Sequence, residues 1–561
     1  MLHGQMMDSP LLISSILRFA ERSHPHREIV SRRVEDGAIH RYTYRQLAAR
    51  ARRLAMALRA LGIGPGDRVA TIAFNGSRHL ELYYAVSGIG AVLHTINPRL
   101  LPAQIAWILN HAEDRALFVD PPFAKLLGLA AAQAPSVQHR VVLTERANMP
   151  AETDHALCFE ELLDAHADDP RFEWPALDER SASSLCYTSG TTGDPRGVLY
   201  SHRSTVLHAY ASLAADAMGL RARDVILPVV PMFHVNAWGL PYAALMTGAK
   251  LVLPGAALDG RSLHELMESE GVTFAAGVPT VWLGLLGYLE QQGARLTTLT
   301  RSVIGGSAAP IALQQRFERE HGVEILHAWG MTEMSPLGTV NQPTAAHAQE
   351  TDEQKWTRKA RQGRAVFGVE LRIVNNSGEE LPWDGAAFGA LQVRGPWVAS
   401  GYFRGQPGTF TADGWFDTGD VATIDPDGFV KITDRTKDVI KSGGEWIGSI
   451  ELEDVIMKHP AVAMAAAIAV PHEKWGERPL LVLVPKPGAT ITRDEALAFF
   501  TGKVASWWIP SDVALLDALP LGATGKVLKT ALRERFAAHR WPDGAVTPTE
   551  GSASISARDR P

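Results

Sequence analysis

Within the eleven residues from Tyr187 to Gly197 (Tyr-Thr-Ser-Gly-Thr-Thr-Gly-Asp-Pro-Arg-Gly) lie four small hydroxyl side chains, three glycines and one cation. Glycines let backbone N–H groups approach an anion closely, and hydroxyls add donors that move little as charge develops. Thr188, Ser189, Gly190, Thr191, Thr192, Gly193 and Arg196 therefore form a candidate phosphate cradle, with the cation expected to be enclosed between strand-like flanks. The bland alternative is a flexible surface linker. The spacing is not Gly-x-x-x-x-Gly-Lys-Ser/Thr, which removes the main support for a kinase-type P-loop.

Three further charged residues sit where a nucleotide chemistry would need them. Asp420 is expected to end a Gly-rich turn, where it could accept from both hydroxyls of a vicinal diol or simply close an Asx-turn. Glu333 follows a Trp-Gly pair after a strand-like stretch; it could hold Mg²⁺ against a phosphate or serve as an acid at a helix start. Lys526 follows Gly525 and could neutralise a carboxylate and an α-phosphate together, or it could be a solvated surface lysine. Gly305-Gly306-Ser307-Ala308 lies at a strand end, where backbone can meet a flat base closely or merely turn into a helix.

These residues must be carried by a scaffold, and the first four hundred residues alternate between strand and helix patterns. Strands are predicted at Arg68–Phe74, Ala116–Asp120, Arg140–Thr144, Lys250–Leu253, Ser302–Ile304 and Val323–His327, with helices at Tyr44–Leu61 and Ile311–Glu320. That order implies an α/β fold of parallel or mixed sheets covered by helices, with ligands beyond the carboxyl ends of strands. Pro310 is expected in the first turn of its helix. From about Val369 the texture becomes short alternating strands, read as a small antiparallel, barrel-like layer. A smaller α+β unit follows. The expected organisation is an N-terminal domain over 1–434, a hinge at 435–438, a mobile C-terminal domain over 439–540 and a disordered tail over 541–561.

Composition excludes several classes. The 561 residues are 46% hydrophobic and 21% charged with a net charge of −6, so no global positive field exists to hold nucleic acid. The longest apolar run, Ala461 to Val470, is about half the ~20 residues a membrane span requires. Two cysteines, Cys158 and Cys186, make no disulfide framework, and the expectation is a cytoplasmic protein.

The loop at Tyr187–Gly197 resembles the phosphate-binding signature of the adenylate-forming enzymes: acyl-CoA synthetases, firefly luciferase and peptide-synthetase adenylation domains. Five further motifs match in the family's order: Pro231-Met232-Phe233-His234, Trp329-Gly330-Met331-Thr332-Glu333, Gly414–Asp420, Asp434–Asp438 and Gly522–Lys526. The resemblance implies ATP, Mg²⁺ and coenzyme A, with Glu333 and Thr188 at the metal. It places Gly306, Ser307, Ala308, Trp329, Gly330, Met331 and Thr332 around adenine, and Asp420 and Arg435 on ribose. Lys526 and Thr188 join Glu333 as the catalytic set, and a homodimer is implied. Trp329 stands where many relatives have Tyr, and Arg196 where Lys is commoner, which keeps charge but adds a planar fork.

In this family the acid's carboxylate attacks the α-phosphate and a thiol then takes the acyl group. The resemblance places the acyl pocket at Phe233, His234, Trp238, Val278, Pro279, Gly306 and Met331, with His234 and Trp238 on one face if the stretch is helical. Phe233-His234-Val235-Asn236 offers no carboxylate for an α-ammonium, which disfavours an amino acid. Gly90–Leu100 and Lys441–Ile447 look like medium- and long-chain fatty-acyl-CoA synthetases, and, with Val229–Gly239, like 3-(methylthio)propionate-CoA ligases. Lys437 matches the family's hinge position, and Lys441, Ser442, Gly443, Gly444, Glu445 and Trp446 form the loop brought to the thiol. The alternatives are an enzyme loading a carrier protein or using an aryl acid, and a non-catalytic AMP-binding regulator.

Overall fold

The strand–helix alternation forms mixed sheets. The computed structural model describes residues 2–151, 153, 155–188, 195–406, 408–442, 445–520 and 527–541. The chain divides into two compact units: Met1–Leu371 with Val393–Phe416 and Asp427–Val430, and Arg372–Gln392 with Asp417–Pro426 and Lys431–Pro561.

In the first unit a nine-stranded sheet runs in the order Arg364–Ala365, Leu337–Val340, Glu324–Gly330, Arg301–Ile304, Phe274–Gly277, Val225–Pro228, Lys250–Leu253, Glu28–Arg32 and Ile39–Thr43. Its central strands pair in parallel, with antiparallel partners only toward its ends. Such strands are apolar on both faces because helices cover both. Leu227, Val252, Trp282, Leu286, Ile304 and Phe317 are all buried in one core of this kind.

A seven-stranded sheet has the order Leu157–Cys158, His139–Val142, Asp114–Val119, Arg68–Ile72, Val92–Thr95, Ala182–Thr188 and Arg196–Ser201. All its pairs are parallel except the last, which is antiparallel. The predicted helices form at Tyr44–Ala60 and Ile311–His321. The first starts on a capping box in which Thr43 and Gln46 satisfy each other's backbone N–H groups. Pro310 departs from expectation: its ψ of 135° makes it the residue that caps the second helix, not a member of its first turn.

A four-stranded sheet orders Glu370–Val374, Phe388–Arg394, Phe416–Ile424 and Val430–Arg435. The second unit carries a five-stranded sheet built on the long antiparallel pair Val462–His472 and Gly476–Pro485, with helices Ser449–Ile456, Arg493–Ala498 and Lys529–Arg535. Among the described residues no helix is long and apolar enough to cross a membrane. Residues 542–561, expected to be disordered, lie outside the described ones.

Candidate active site

The hydroxyl- and glycine-rich segment connects the two antiparallel strands at the edge of the seven-stranded sheet. The final register pair sets Thr188 opposite Arg196. Ser189, Gly190, Thr191, Thr192 and Gly193 lie outside the described residues. Arg196 is exposed, so the expected enclosure of this cation is not found: it sits at the start of an edge strand and faces outward. Its guanidinium lies 5.3 Å above the ring of Tyr402. Behind the loop, Tyr187 shares a 2.6 Å hydrogen bond with His111, which stacks on Trp107.

Four adjacent strands of the nine-stranded sheet deliver the remaining residues of the first unit. Their carboxyl ends lead into Val229–Trp238, Val278–Pro279, Gly305–Ala308 and Met331–Glu333. Glu333 lies in a short turn after Glu324–Gly330, which runs further than the strand ending at His327 that the sequence suggested. The carboxylate is buried, and its Oε1 accepts the Tyr402 hydroxyl at 2.6 Å. Ala399 N–H donates to the Glu333 carbonyl at 2.7 Å, and the Tyr200 hydroxyl donates to the Thr332 carbonyl at 2.5 Å. Gly330 is obligatory here, because a Cβ would stand 1.9 Å from the Pro336 carbonyl oxygen. Trp329 is half-buried, its ring packed over Gly338, whose Cβ would lie 2.8 Å away. Gly306, Ser307 and Ala308 are exposed on their loop.

A tight wall forms beside them. A Cβ on Gly305 would meet the Trp238 ring at 3.1 Å, and one on Gly306 would meet Val278 Cγ1 at 3.3 Å and the same indole at 4.0 Å. Trp238, Val278, Gly305 and Gly306 therefore share one surface, with Pro279 buried at the head of helix Pro279–Gln292. Phe233 is buried edge-on to Phe74, Met331 is partly buried and His234 is exposed.

The helical reading of this stretch is overturned. Val235, Asn236, Ala237 and Trp238 all have φ between 47° and 56°, followed by Gly239 at 75°, so the chain makes a left-handed turn. Each such residue is costly unless its surroundings hold it. Asn236 supplies that hold: its Nδ2 donates to Ser184 Oγ at 3.0 Å and its Oδ1 accepts from the Tyr83 hydroxyl at 3.4 Å. His208 packs where a Cβ on residue 239 would stand and accepts the Leu337 N–H at 3.2 Å. Burial pushes its imidazole down to about 3, so it is a neutral acceptor.

In the second unit Arg435 Nε pairs with Asp420 Oδ1 at 2.8 Å, the carboxylate buried and the guanidinium half-exposed. Asp420 lies inside strand Phe416–Ile424 and not at the end of a turn, because the alternation there buries Phe416, Thr418 and Asp420 together. Lys441 and Ser442 form a hairpin strand with Glu445–Ile447, and Lys441 Nζ lies 6.0 Å from the Trp446 ring. Ser442 Oγ accepts from Arg478, a fully buried arginine that also donates to three further neutral acceptors, Ser511 Oγ and the carbonyls of Trp507 and Ile509. Asp438, next to Lys437, pairs with Arg533. Gly443, Gly444 and Lys526 lie outside the described residues.

Sequence reasoning missed Tyr402, Arg478 and the left-handed turn. Gly401-Tyr402 carries no local signal, since its partner Glu333 is 69 residues away.

Among the described residues no cluster of three His, Cys, Asp or Glu could enclose a metal. A single buried carboxylate at Glu333 suits Mg²⁺, which keeps waters and substrate phosphates in its shell and needs only one or two carboxylates.

Comparison with known proteins shows the family and the fold. The family model described as AMP-binding enzyme matches residues 17–403, and that of the AMP-binding enzyme C-terminal domain matches 451–526. A 3-methylmercaptopropionyl-CoA ligase of Ruegeria lacuscaerulensis is 53% identical over 95% of this chain and 98% of its own length. A medium-chain-fatty-acid–CoA ligase of Ectopseudomonas oleovorans is 51% identical over 95% and 97%. The crystal structure of ATP-bound MatB from Rhodopseudomonas palustris superposes with a TM-score of 0.78 at 26% identity, covering 94% of this chain and 99% of that one.

Proposed function

The chain belongs to the AMP-binding enzyme family, and from that footing we propose an AMP-forming acyl-CoA synthetase acting on a short or medium-length apolar acid, such as 3-(methylthio)propionate or a fatty acid. The single observation that carries the acid class is the wall of Trp238, Val278, Gly305 and Gly306, which is apolar and packed closely enough that a Cβ on Gly305 would stand 3.1 Å from the Trp238 ring and one on Gly306 3.3 Å from Val278 Cγ1. An apolar wall separates acids differing by one methylene by only ~1–3 kcal/mol, so several neighbouring acids should be accepted.

The acid's carboxylate oxygen attacks the α-phosphorus of ATP. A new P–O bond forms, the α–β bridge breaks, and pyrophosphate leaves. The thiol sulfur of CoA then attacks the acyl carbon, AMP departs with the C–O electron pair, and the thiol proton goes to solvent. No protein nucleophile takes part; the residues position reactants and offset charge. Glu333 and Thr188 would hold Mg²⁺, which when bound neutralises phosphate charge. The hydroxyls and glycines at 188–193 and Arg196 grip the phosphates. Trp329 stacks on adenine beside Gly306, Ser307, Ala308, Gly330, Met331 and Thr332, while Asp420, oriented by Arg435, receives the ribose hydroxyls. Lys526 draws the carboxylate and α-phosphate together. A rotation at Lys437 then withdraws it and brings Lys441–Trp446 to the thiol. The enzyme is proposed to be cytoplasmic and homodimeric.

A pyrophosphate-release panel tests this. Propionate, 3-(methylthio)propionate, butyrate, octanoate, palmitate and cinnamate are each supplied with and without CoA. Acid-dependent pyrophosphate, with thioester and AMP only when CoA is present, is expected. Release independent of acid, or acyl transfer to a carrier thiol and not to CoA, would overturn the reading.

A further inference from the structure

Among the described residues, strand Arg196–Ser201 is the outermost of its sheet, and no described strand pairs with its outer backbone groups. An edge of this kind must be paired or solvated. At its first residues, one side chain does the pairing. Gln406 Oε1 accepts the Gly197 N–H at 2.9 Å, and Gln406 Nε2 donates to the Pro195 carbonyl at 3.1 Å. One amide thus brackets Arg196 from both sides, where the chain emerges from the hydroxyl- and glycine-rich loop.

Four residues before Gln406, Tyr402 donates its hydroxyl to Glu333 and carries Arg196 over its ring. Between them, Phe403 Cβ would be 3.0 Å from a Cβ on Gly197, so the absence of a side chain at 197 is what lets the two segments touch. The segment is fastened on its far side as well: Phe403 packs edge-on against His111, and Arg404 pairs with Glu113 at 2.7 Å.

We propose that Tyr402 and Gln406 form a clasp that fixes the spacing between the exit of the phosphate loop and the Glu333 carboxylate, and so act as positioning residues for adenylate formation. The inference rests on the acyl-CoA synthetase reading. Loop and carboxylate come from different sheets, and each must meet the same triphosphate within a few tenths of an ångström. The Tyr402 hydroxyl fixes the rotation of the carboxylate, and the Gln406 amide fixes the strand that ends the loop. Five consecutive residues carry both contacts, so neither can shift without the other.

The test uses Tyr402→Phe, Gln406→Ala and the double variant of the full chain. ATP binding is measured by titration calorimetry with Mg²⁺ present, and Mn²⁺ binding in the presence of ATP by electron paramagnetic resonance. Each single variant should weaken binding and slow acid-dependent pyrophosphate release by ~10–100-fold, the range seen when groups orienting a metal ligand are removed. The double should fall no further than the worse single, as expected for one coupled unit. Gln406→Glu keeps the acceptor for Gly197 N–H but loses the donor, and should lie between. Thioester formation from supplied acyl-adenylate and CoA should stay at the native rate in all four. Native ATP and Mn²⁺ affinities in both single variants, or a parallel fall of both half-reactions, would overturn the clasp. Acid-independent pyrophosphate release by the native enzyme would instead defeat the reading beneath it.

Discussion

At the scale of single residues, charge and shape make separate predictions. Lys526→Ala should lower acid-dependent pyrophosphate release by several orders of magnitude, because two anions would then meet without a counter-charge. Thioester formation from supplied adenylate should be largely spared, and equal loss of both steps would remove the assignment. Trp238→Ala should shift preference toward longer acids by opening the wall at Gly305 and Gly306. ATP affinity should change little, and an acid profile unchanged from propionate to octanoate would place the indole in the core alone. These roles differ in legibility. The glycines at 305 and 306 could be read as a loop, but not the indole they accommodate.

Elements decide which of these residues can act together. The left-handed turn Val235–Gly239 places Trp238 on the wall where a helix would not, and it persists because Asn236, Ser184 and Tyr83 overdetermine it. Asn236→Ala should therefore alter acid preference as Trp238→Ala does, with no ligand contact of its own, and a panel of acids reads this directly. The segment at Lys437 is an element of another kind, a turn between strand Val430–Arg435 and the hairpin at Ile440. Lys437→Pro fixes φ there and should slow the thioester step at least ~10-fold while leaving pyrophosphate release near native, in keeping with hinge positions that absorb a backbone change. An unaffected second step would move the hinge elsewhere.

For the molecule as a whole, buried histidines contribute to its response to acid. Burial lowers His79, His202 and His327 to about 4 and His208 to about 3, all within the first unit. Each is neutral when folded and takes up a proton readily only on unfolding, so their contribution is present above about pH 6.5 and lost as pH falls toward 4. Lowering the pH from 7 to 5 should cost about 2 kcal/mol per histidine. Asp120 works oppositely: burial raises it to about 7, so it is more easily protonated folded than unfolded and gives back roughly one histidine's worth over the same interval. The melting temperature should fall clearly between pH 7 and pH 5; a flat profile would mean these imidazoles are hydrated.

The order of residues along the chain carried the local chemistry. Hydroxyls, glycines and a cation packed into one loop, strand periods broken by Gly-rich ends, and an acid after Trp329-Gly330 are all short-range patterns, fixed by neighbours a few residues apart. It also determined the alternation that produces mixed sheets, since periodicity is a property of each segment alone. Tertiary structure decided what meets what. Tyr402 reaches Glu333 across 69 residues, Gln406 reaches Pro195 across 211, and the indole of Trp238 reaches the loop after Ile304 only because their strands lie in one sheet. No period or motif encodes such contacts. They arise where sheet order and a strained turn bring distant backbone together, and glycine leaves room for the approach.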